Sequence, residues 1–164
     1  MKRLLSALNL LPEIISCTAL SITIMAVILN VFMRYVFNNS LAEAEEIATA
    51  SFCWVVFLGA AACYKRGLHV GIDILVSKSD SRFSRFLILL TGFILIVINF
   101  YLIYLTGYFS ISAWVKPLSV LRIPYTFVDI SATVGFIYMA FYALKLFVEN
   151  LKQFIIRKAV AEES

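Results

Sequence analysis

The 164-residue chain is 62% hydrophobic and only 15% charged, with a mean hydropathy of +0.94. Soluble domains stand nearer about 45–50% apolar and 25% charged, and a fold surrounded by water cannot hide that excess, so the chain reads as an integral membrane protein. The net charge of +4 is scattered through the polar segments rather than gathered in one patch, which excludes nucleic acid as a partner.

The chain opens on Met1-Lys2-Arg3, with Leu4, Leu5, Leu8 and Leu11 recurring at helical spacing. This predicts either a short helix on the membrane surface or a lead-in to the first span. Pro12 and Glu13 interrupt the apolar character. The run that follows is too long for the core of a signal peptide and no small-residue cleavage site closes it, so it reads as a retained span.

Four apolar runs follow. Residues 14–33 and 47–64 are uncharged, as are residues 86–115; the last run, 123–144, holds a single charge at Asp129. Twenty residues of helix reach roughly 30 Å, the thickness of the hydrocarbon core. No backbone donor can stay open in lipid, so each run is expected to be a helix. The expected architecture is an all-α membrane protein of four transmembrane helices, forming a single domain over 1–164 with spans near 14–35, 46–64, 84–115 and 124–146. The third run is longer than the core requires and must tilt or project. Asp80 or Ser81 is a candidate cap for its start. Residues 66–79, with apolar side chains alternating among small and polar ones, are expected to lie on the surface. The C-terminal tail is expected to continue helix four.

Lysine and arginine set the orientation. With both termini cytoplasmic, the inner segments hold Lys2, Arg3, Lys65, Arg66, Lys78, Arg82, Arg85, Lys145, Lys152, Arg157 and Lys158, against Arg34, Lys116 and Arg122 outside. That is a positive-inside bias. Tyr35, Trp114 and Tyr125 then fall at the outer interface and Tyr64 at the inner one.

Little in the spans suggests chemistry. No uncharged run contains a broken helix signal, and Thr23, Thr91, Asn99 and Thr106 read as interhelical glue. The three cysteines, Cys17, Cys53 and Cys63, form no CxxC pair and no cluster with histidine. They read as buried free thiols packing as small residues. The one histidine, His69, lies between spans two and three, which excludes bis-histidine haem ligation. It reads either as a solvated loop histidine or as a partner of Asp73, one helical turn on. Neither cofactor nor metal is implied.

Asp129 costs about 2.5–3.5 kcal/mol at a helix centre and less near an end. It reads either as a wet interfacial acid or as an ion-pairing group that docks a partner, with Arg122 in reach if the Arg122–Pro124 turn folds over. Arg34 and the Glu43, Glu45, Glu46 cluster stand on opposite arms of the outer corner. Glu45 and Glu46 also complement the positive end of helix two. Gly59, Ala60, Ala61, Ala62 and Cys63 form a small-residue patch that admits a close helix neighbour. Phe93, Phe100, Tyr101, Tyr104, Tyr108 and Phe109 line helix three as a packing stripe facing lipid or another subunit.

These residues together resemble the small membrane subunit of tripartite ATP-independent periplasmic (TRAP) transporters, the DctQ-like family. The likeness rests on Asn30-Val31-Phe32-Met33-Arg34-Tyr35-Val36-Phe37-Asn38, Ser40-Leu41, Glu45-Glu46, the run from Phe52 through Trp54 to Ala61, His69-Val70-x-Ile72-Asp73, and Leu121-Arg122-Ile123-Pro124. It extends over nearly the full chain. Glu43 departs from the family, which often has Trp there, and Lys65-Arg66-Gly67 is one variant of a loosely basic stretch.

The resemblance implies a non-catalytic scaffold, not an enzyme. Its partners are a large multi-spanning subunit working as a sodium-driven elevator, a periplasmic substrate-binding protein and membrane lipids. The substrate is implied to be an organic acid of the C4-dicarboxylate or sialic acid type. Arg34, Glu45, Glu46, Arg122 and Asp129 are the candidate outer contacts; His69 and Asp73 order the inner loop; Trp54 and Gly59 set helix packing. The alternative is a self-contained homodimeric transporter with Glu13 or Asp129 as its coupling group. A redox-enzyme membrane anchor is the third class.

Overall fold

The computed structural model describes the backbone of residues 2–65 and 82–162 and the side chains of 10–65 and 87–152. The expected surface segment at 66–79, the Asp80 or Ser81 cap and the His69–Asp73 pair lie outside these residues. The described chain folds as α1 (Lys2–Val36), α2 (Ala42–Lys65), α3 (Arg82–Ser112) with a short 3-10 turn (Ala113–Val115), and α4 (Thr126–Glu162). Each of the four contains a stretch long and apolar enough to cross a membrane. The chain is an all-α, four-span membrane protein.

α1 begins at Lys2 and runs through Pro12 without a break, so the leading leucines continue the first span rather than forming a separate surface helix. Helix four likewise continues into the tail, as expected, ending at Glu162.

A narrow seam holds α1 to α2. Pro12, Ser16, Ala19, Thr23, Ala26, Asn30 and Met33 are buried or half-buried, whereas every other residue from 10 to 36 except Glu13 is exposed. Their spacing alternates four and three, the repeat that keeps one stripe of a helix against a neighbour. Small side chains on that stripe let two backbones approach, which substitutes for a hydrophobic force that lipid does not supply.

The corner between α1 and α2 is built by asparagines. Asn38 adopts a left-handed backbone (φ 50) just past the helix end. This lets Asn39 N–H reach back to Met33 C=O at 3.3 Å beside the Phe37–Met33 bond at 3.0 Å. Such a turn satisfies helix carbonyls that would otherwise stand open. The Asn30 side chain then accepts Leu41 N–H at 3.0 Å and the Ser40 hydroxyl at 3.3 Å, fixing where α2 starts.

α4 crosses α2 at a glycine. A Cβ on Gly135 would lie 2.8 Å from Phe57 Cβ and 2.9 Å from Phe57 O. Ser131, one turn earlier, is fully buried, and Phe57 and Phe136 meet edge to face at 5.7 Å. Toward the Lys65 end, Tyr64, Tyr142 and Ala143 are buried together, with Ile96, Tyr138 and Met139 packed on them. Tyr64 is therefore covered by its neighbours on α4 rather than open around its ring.

Among the described residues, α1 packs only on α2, and α3 packs only on α4 and the short turn that follows it. The spatial order is α1, α2, α4, α3. This is an open row and not a closed bundle, and only 6% to 39% of each span's residues are buried. Two cysteine expectations fail for this reason: Cys17 and Cys63 are exposed on the outer faces of the row, and only Cys53 is half-buried. The aromatic stripe on α3 is exposed throughout, as a packing face for lipid or another chain must be.

The polar side chains in the spans are spent on their own helices. Thr23, Thr91 and Thr106 donate to the carbonyls of Ala19, Leu87 and Leu102, and the buried Asn99 donates to Leu95. They are not the interhelical glue expected, because a carbonyl one turn back is commonly within reach of a short donor. The interhelical hydroxyl bond comes from Thr126, which donates to Ser110 C=O at 2.9 Å and ties the start of α4 to α3.

Candidate partner interface

Five of the candidates, Arg34, Glu45, Glu46, Arg122 and Asp129, gather toward the corner end of the row, where residues 37–41 and 116–125 lie. The longer segment is a strap. Leu118 N–H donates to Ile123 C=O and Tyr125 N–H to Lys116 C=O, both at 2.8 Å, and Pro117 and Pro124 face each other as an isolated antiparallel bridge. Arg122 makes the turn possible by adopting φ 54, a conformation costly for a residue with a Cβ.

Glu46 holds the strap down. Its two carboxylate oxygens accept Val120 N–H at 2.9 Å and Leu121 N–H at 2.8 Å. The helix-end reading of this residue is revised accordingly: Glu43 and Glu45 occupy the first turn of α2, and Glu46 lies beyond it, bound to the strap. An ionised acceptor with two backbone donors makes bonds about twice as strong as neutral ones. Glu45, one residue earlier, is exposed. It borders a groove of about 380 Å³ between α2 and the strap, lined also by Thr49, Pro117, Ser119 and Tyr125.

The strap occupies the space beside the first turns of α2, so α4 starts deeper. The Gly135–Phe57 crossing puts Thr126 level with about Ala48. Trp54 spans the step: its indole N–H donates to Phe127 C=O at 3.2 Å, satisfying a carbonyl in the first turn of α4. Trp54 thus ties α2 to the start of α4 within the chain.

The other candidates are placed as follows. Arg34 is exposed in the last turn of α1. Arg122 is exposed and forms no ion pair with Asp129 among the described residues; the strap turns at Arg122 but is pinned by Glu46. Asp129 is half-buried in the first turns of α4, and the cation whose charge reaches it is Lys116. Gly59 has nothing of this chain within 4 Å of where a Cβ would stand. It lies beside an exposed stripe of α2 formed by Glu45, Thr49, Phe52, Val56, Ala60 and Cys63. The close approach inside the chain falls on Gly135 instead. Ser131-x-x-x-Gly135, two small residues one turn apart, was the available signal. The opposite end carries an ion pair that the sequence reading did not form: Lys65 Nζ meets Glu13 Oε1 at 3.0 Å, joining α1 to α2.

Comparison with known proteins follows this geometry. The family model for the DctQ component of tripartite ATP-independent periplasmic transporters matches residues 23–153. The chain belongs to this family. It is 36% identical over 78 residues to a TRAP transporter small permease protein of Haemophilus influenzae, covering 48% of each chain. It is 38% identical over 56 residues to the C4-dicarboxylate TRAP transporter small permease protein DctQ of Vibrio cholerae, covering 34% of this chain and 24% of that one. It is 41% identical over 51 residues to the DctQ small permease protein of Rhodobacter capsulatus, covering 31% and 22%. The matched stretch thus spans about half of the first relative and under a quarter of the other two. With four apolar spans and this family membership, the DctQ-family chain is a multi-pass protein of the bacterial inner membrane.

Proposed function

We propose that this chain is the non-catalytic scaffold subunit of a sodium-driven secondary transporter for organic acids of the C4-dicarboxylate or sialic acid class. It braces a large elevator-type membrane subunit and helps to dock a periplasmic substrate-binding protein. The whole of 1–164 acts as one membrane domain with both termini cytoplasmic, which places the strap and the Asn38 corner on the periplasmic side. The supporting count is the eleven inner against three outer basic residues.

The observation that carries the scaffold reading is the open row. A helical chain whose end helices each touch one neighbour has wide apolar faces left for lipid and for a second chain. Arg34, Glu45, Arg122 and Asp129 are the proposed outer contacts. Glu46 acts through the strap that it positions, Trp54 through the start of α4, and Gly59 through the exposed stripe of α2. His69 and Asp73 are proposed to order the inner loop.

The test is co-expression of the tagged chain with the large subunit, gentle extraction, and reconstitution with the binding protein. The expected result is a stoichiometric complex whose organic-acid uptake requires a sodium gradient and both membrane chains. Full-rate uptake by the chain alone, or by the large subunit alone, overturns the proposal.

A further inference from the structure

We propose that Asp129 is the anchor for a cationic side chain, an arginine or lysine carried on a membrane-embedded segment of the large subunit, received in the groove that α2 and α3 leave along α4. This rests on the scaffold reading above and names the contact by which that scaffold is gripped.

Depth is the first support. Carrying the Gly135–Phe57 register back places Asp129 level with Ser51. The last charge before the uncharged stretch of α2 is Glu46, so this level is four residues past Ile47, about 6 Å into that stretch at 1.5 Å per residue. Only three residues separate Asp129 from the start of α4, yet the strap has set that start deep, and the carboxylate with it. An ionisable group at such a level is ordinarily paired or faces a polar path.

Lack of a partner is the second support. Among the described residues the Asp129 carboxylate makes no hydrogen bond and no ion pair. Lys116, on the strap, is exposed and acts on it only from a distance. One turn along the same helix, the buried Thr133 hydroxyl oxygen also has no partner among the described residues. Asp129 and Thr133, at i and i+4, stand on one side of α4, the carboxylate half-buried and the hydroxyl oxygen enclosed by this chain's own atoms.

Place in the fold is the third. Cys53 of α2 lies within electrostatic reach of Asp129, and Ser110 of α3 is bonded to Thr126, less than a turn before it. α2 and α3 flank α4 but do not pack on one another among the described residues. A third element can therefore lie between them. An anion in such a slot selects a cation, which is how a charge excludes wrong partners in an apolar setting.

The test uses the full chain co-expressed with its large subunit. Asp129→Asn is expected to lower recovery of the large subunit at least about tenfold, the range seen when a buried charge pair loses one member. Asp129→Arg is expected to abolish recovery, while both variants keep the wild-type unfolding temperature of the chain in detergent. A photo-reactive phenylalanine analogue replacing Cys53 is expected to cross-link a large-subunit peptide bearing Arg or Lys within an apolar span. Reversing that residue to Asp is expected to restore the complex with Asp129→Arg.

Several outcomes overturn the proposal. Undiminished assembly of both Asp129 variants does so, as does a cross-linked span without a cation. Lys116→Gln reproducing the loss shows that the counter-ion lies within this chain. Loss of a bound ethanolamine lipid from Asp129→Asn, with the large subunit retained, assigns the site to a headgroup instead. If the wild-type chain emerges alone, the scaffold reading fails and takes the anchor with it; wild-type assembly with indifferent variants removes the anchor only.

Discussion

Glu46 and Leu121 stand seventy-five positions apart in the chain and 2.8 Å apart in the fold. With the companion bond to Val120, this carboxylate fixes the strap that sets the depth of α4. Removing the acceptor leaves two strap amides without a partner. Glu46→Ala is expected to cost about 1–3 kcal/mol and to expose residues 118–123 to limited proteolysis. Glu45→Ala, next to it but exposed, is expected to change stability by less than about 0.5 kcal/mol. Thermal unfolding in detergent and protease mapping check both; equal effects contradict the assignment.

Gly135 and Gly59 separate packing within the chain from packing against a partner. Gly135→Ala drives a methyl into the backbone of Phe57 and is expected to destabilise the isolated chain by about 1–3 kcal/mol. Gly59→Leu meets open space in the chain, so its unfolding temperature is expected to stay at the wild-type value. Its recovery with the large subunit is expected to fall, because a bulky side chain blocks close helix approach. Unchanged co-purification of Gly59→Leu removes Gly59 from the interface.

Glu13, three turns into α1, meets Lys65 at the end of α2 opposite the strap, with 24% and 26% of their side-chain surface exposed. Partial exposure discounts the pair to about 1 kcal/mol. Lys65→Glu places like charges together and is expected to loosen α1 from α2, read as faster amide exchange along the seam. The double exchange Glu13→Lys with Lys65→Glu is expected to recover part of the loss, the signature of direct coupling. Additive losses deny the coupling.

Arg122 carries two properties that one substitution can divide. Arg122→Gly keeps the left-handed turn and removes the side chain, so the strap is expected to survive with stability equal to or up to about 1 kcal/mol above wild type. Any loss of binding-protein docking in this variant then belongs to the guanidinium. Arg122→Val retains the strain without the charge and is expected to destabilise the strap. Protease mapping of residues 118–123 distinguishes the two.

The four spans were legible because lipid imposes one requirement on every residue of a run, and uncharged length records it directly. The DctQ-like pattern was legible because its residues cluster where the chain turns. What stayed hidden depends on which helices become neighbours. Tyr64 reads as an interfacial ring in sequence; only the fold shows that Tyr142, far along the chain, covers it. Cys17 and Cys63 read as buried because they lie within apolar runs, and the row exposes them. Glu46 looks like a helix-end acid in sequence; only the strap reveals its two amides. Gly135 was discoverable from its spacing to Ser131, and the α1 seam from its four-three repeat, but the partner of each stripe was not.

The order α1, α2, α4, α3 also bears on how the protein is made. The first two helices can associate as soon as the second has left the ribosome. The third then waits in the bilayer without the described helix on which it packs, since that neighbour is the last to be synthesised. When α4 arrives it must enter between two segments already inserted, and a chain stopped before Thr126 keeps the early hairpin but leaves α3 adrift.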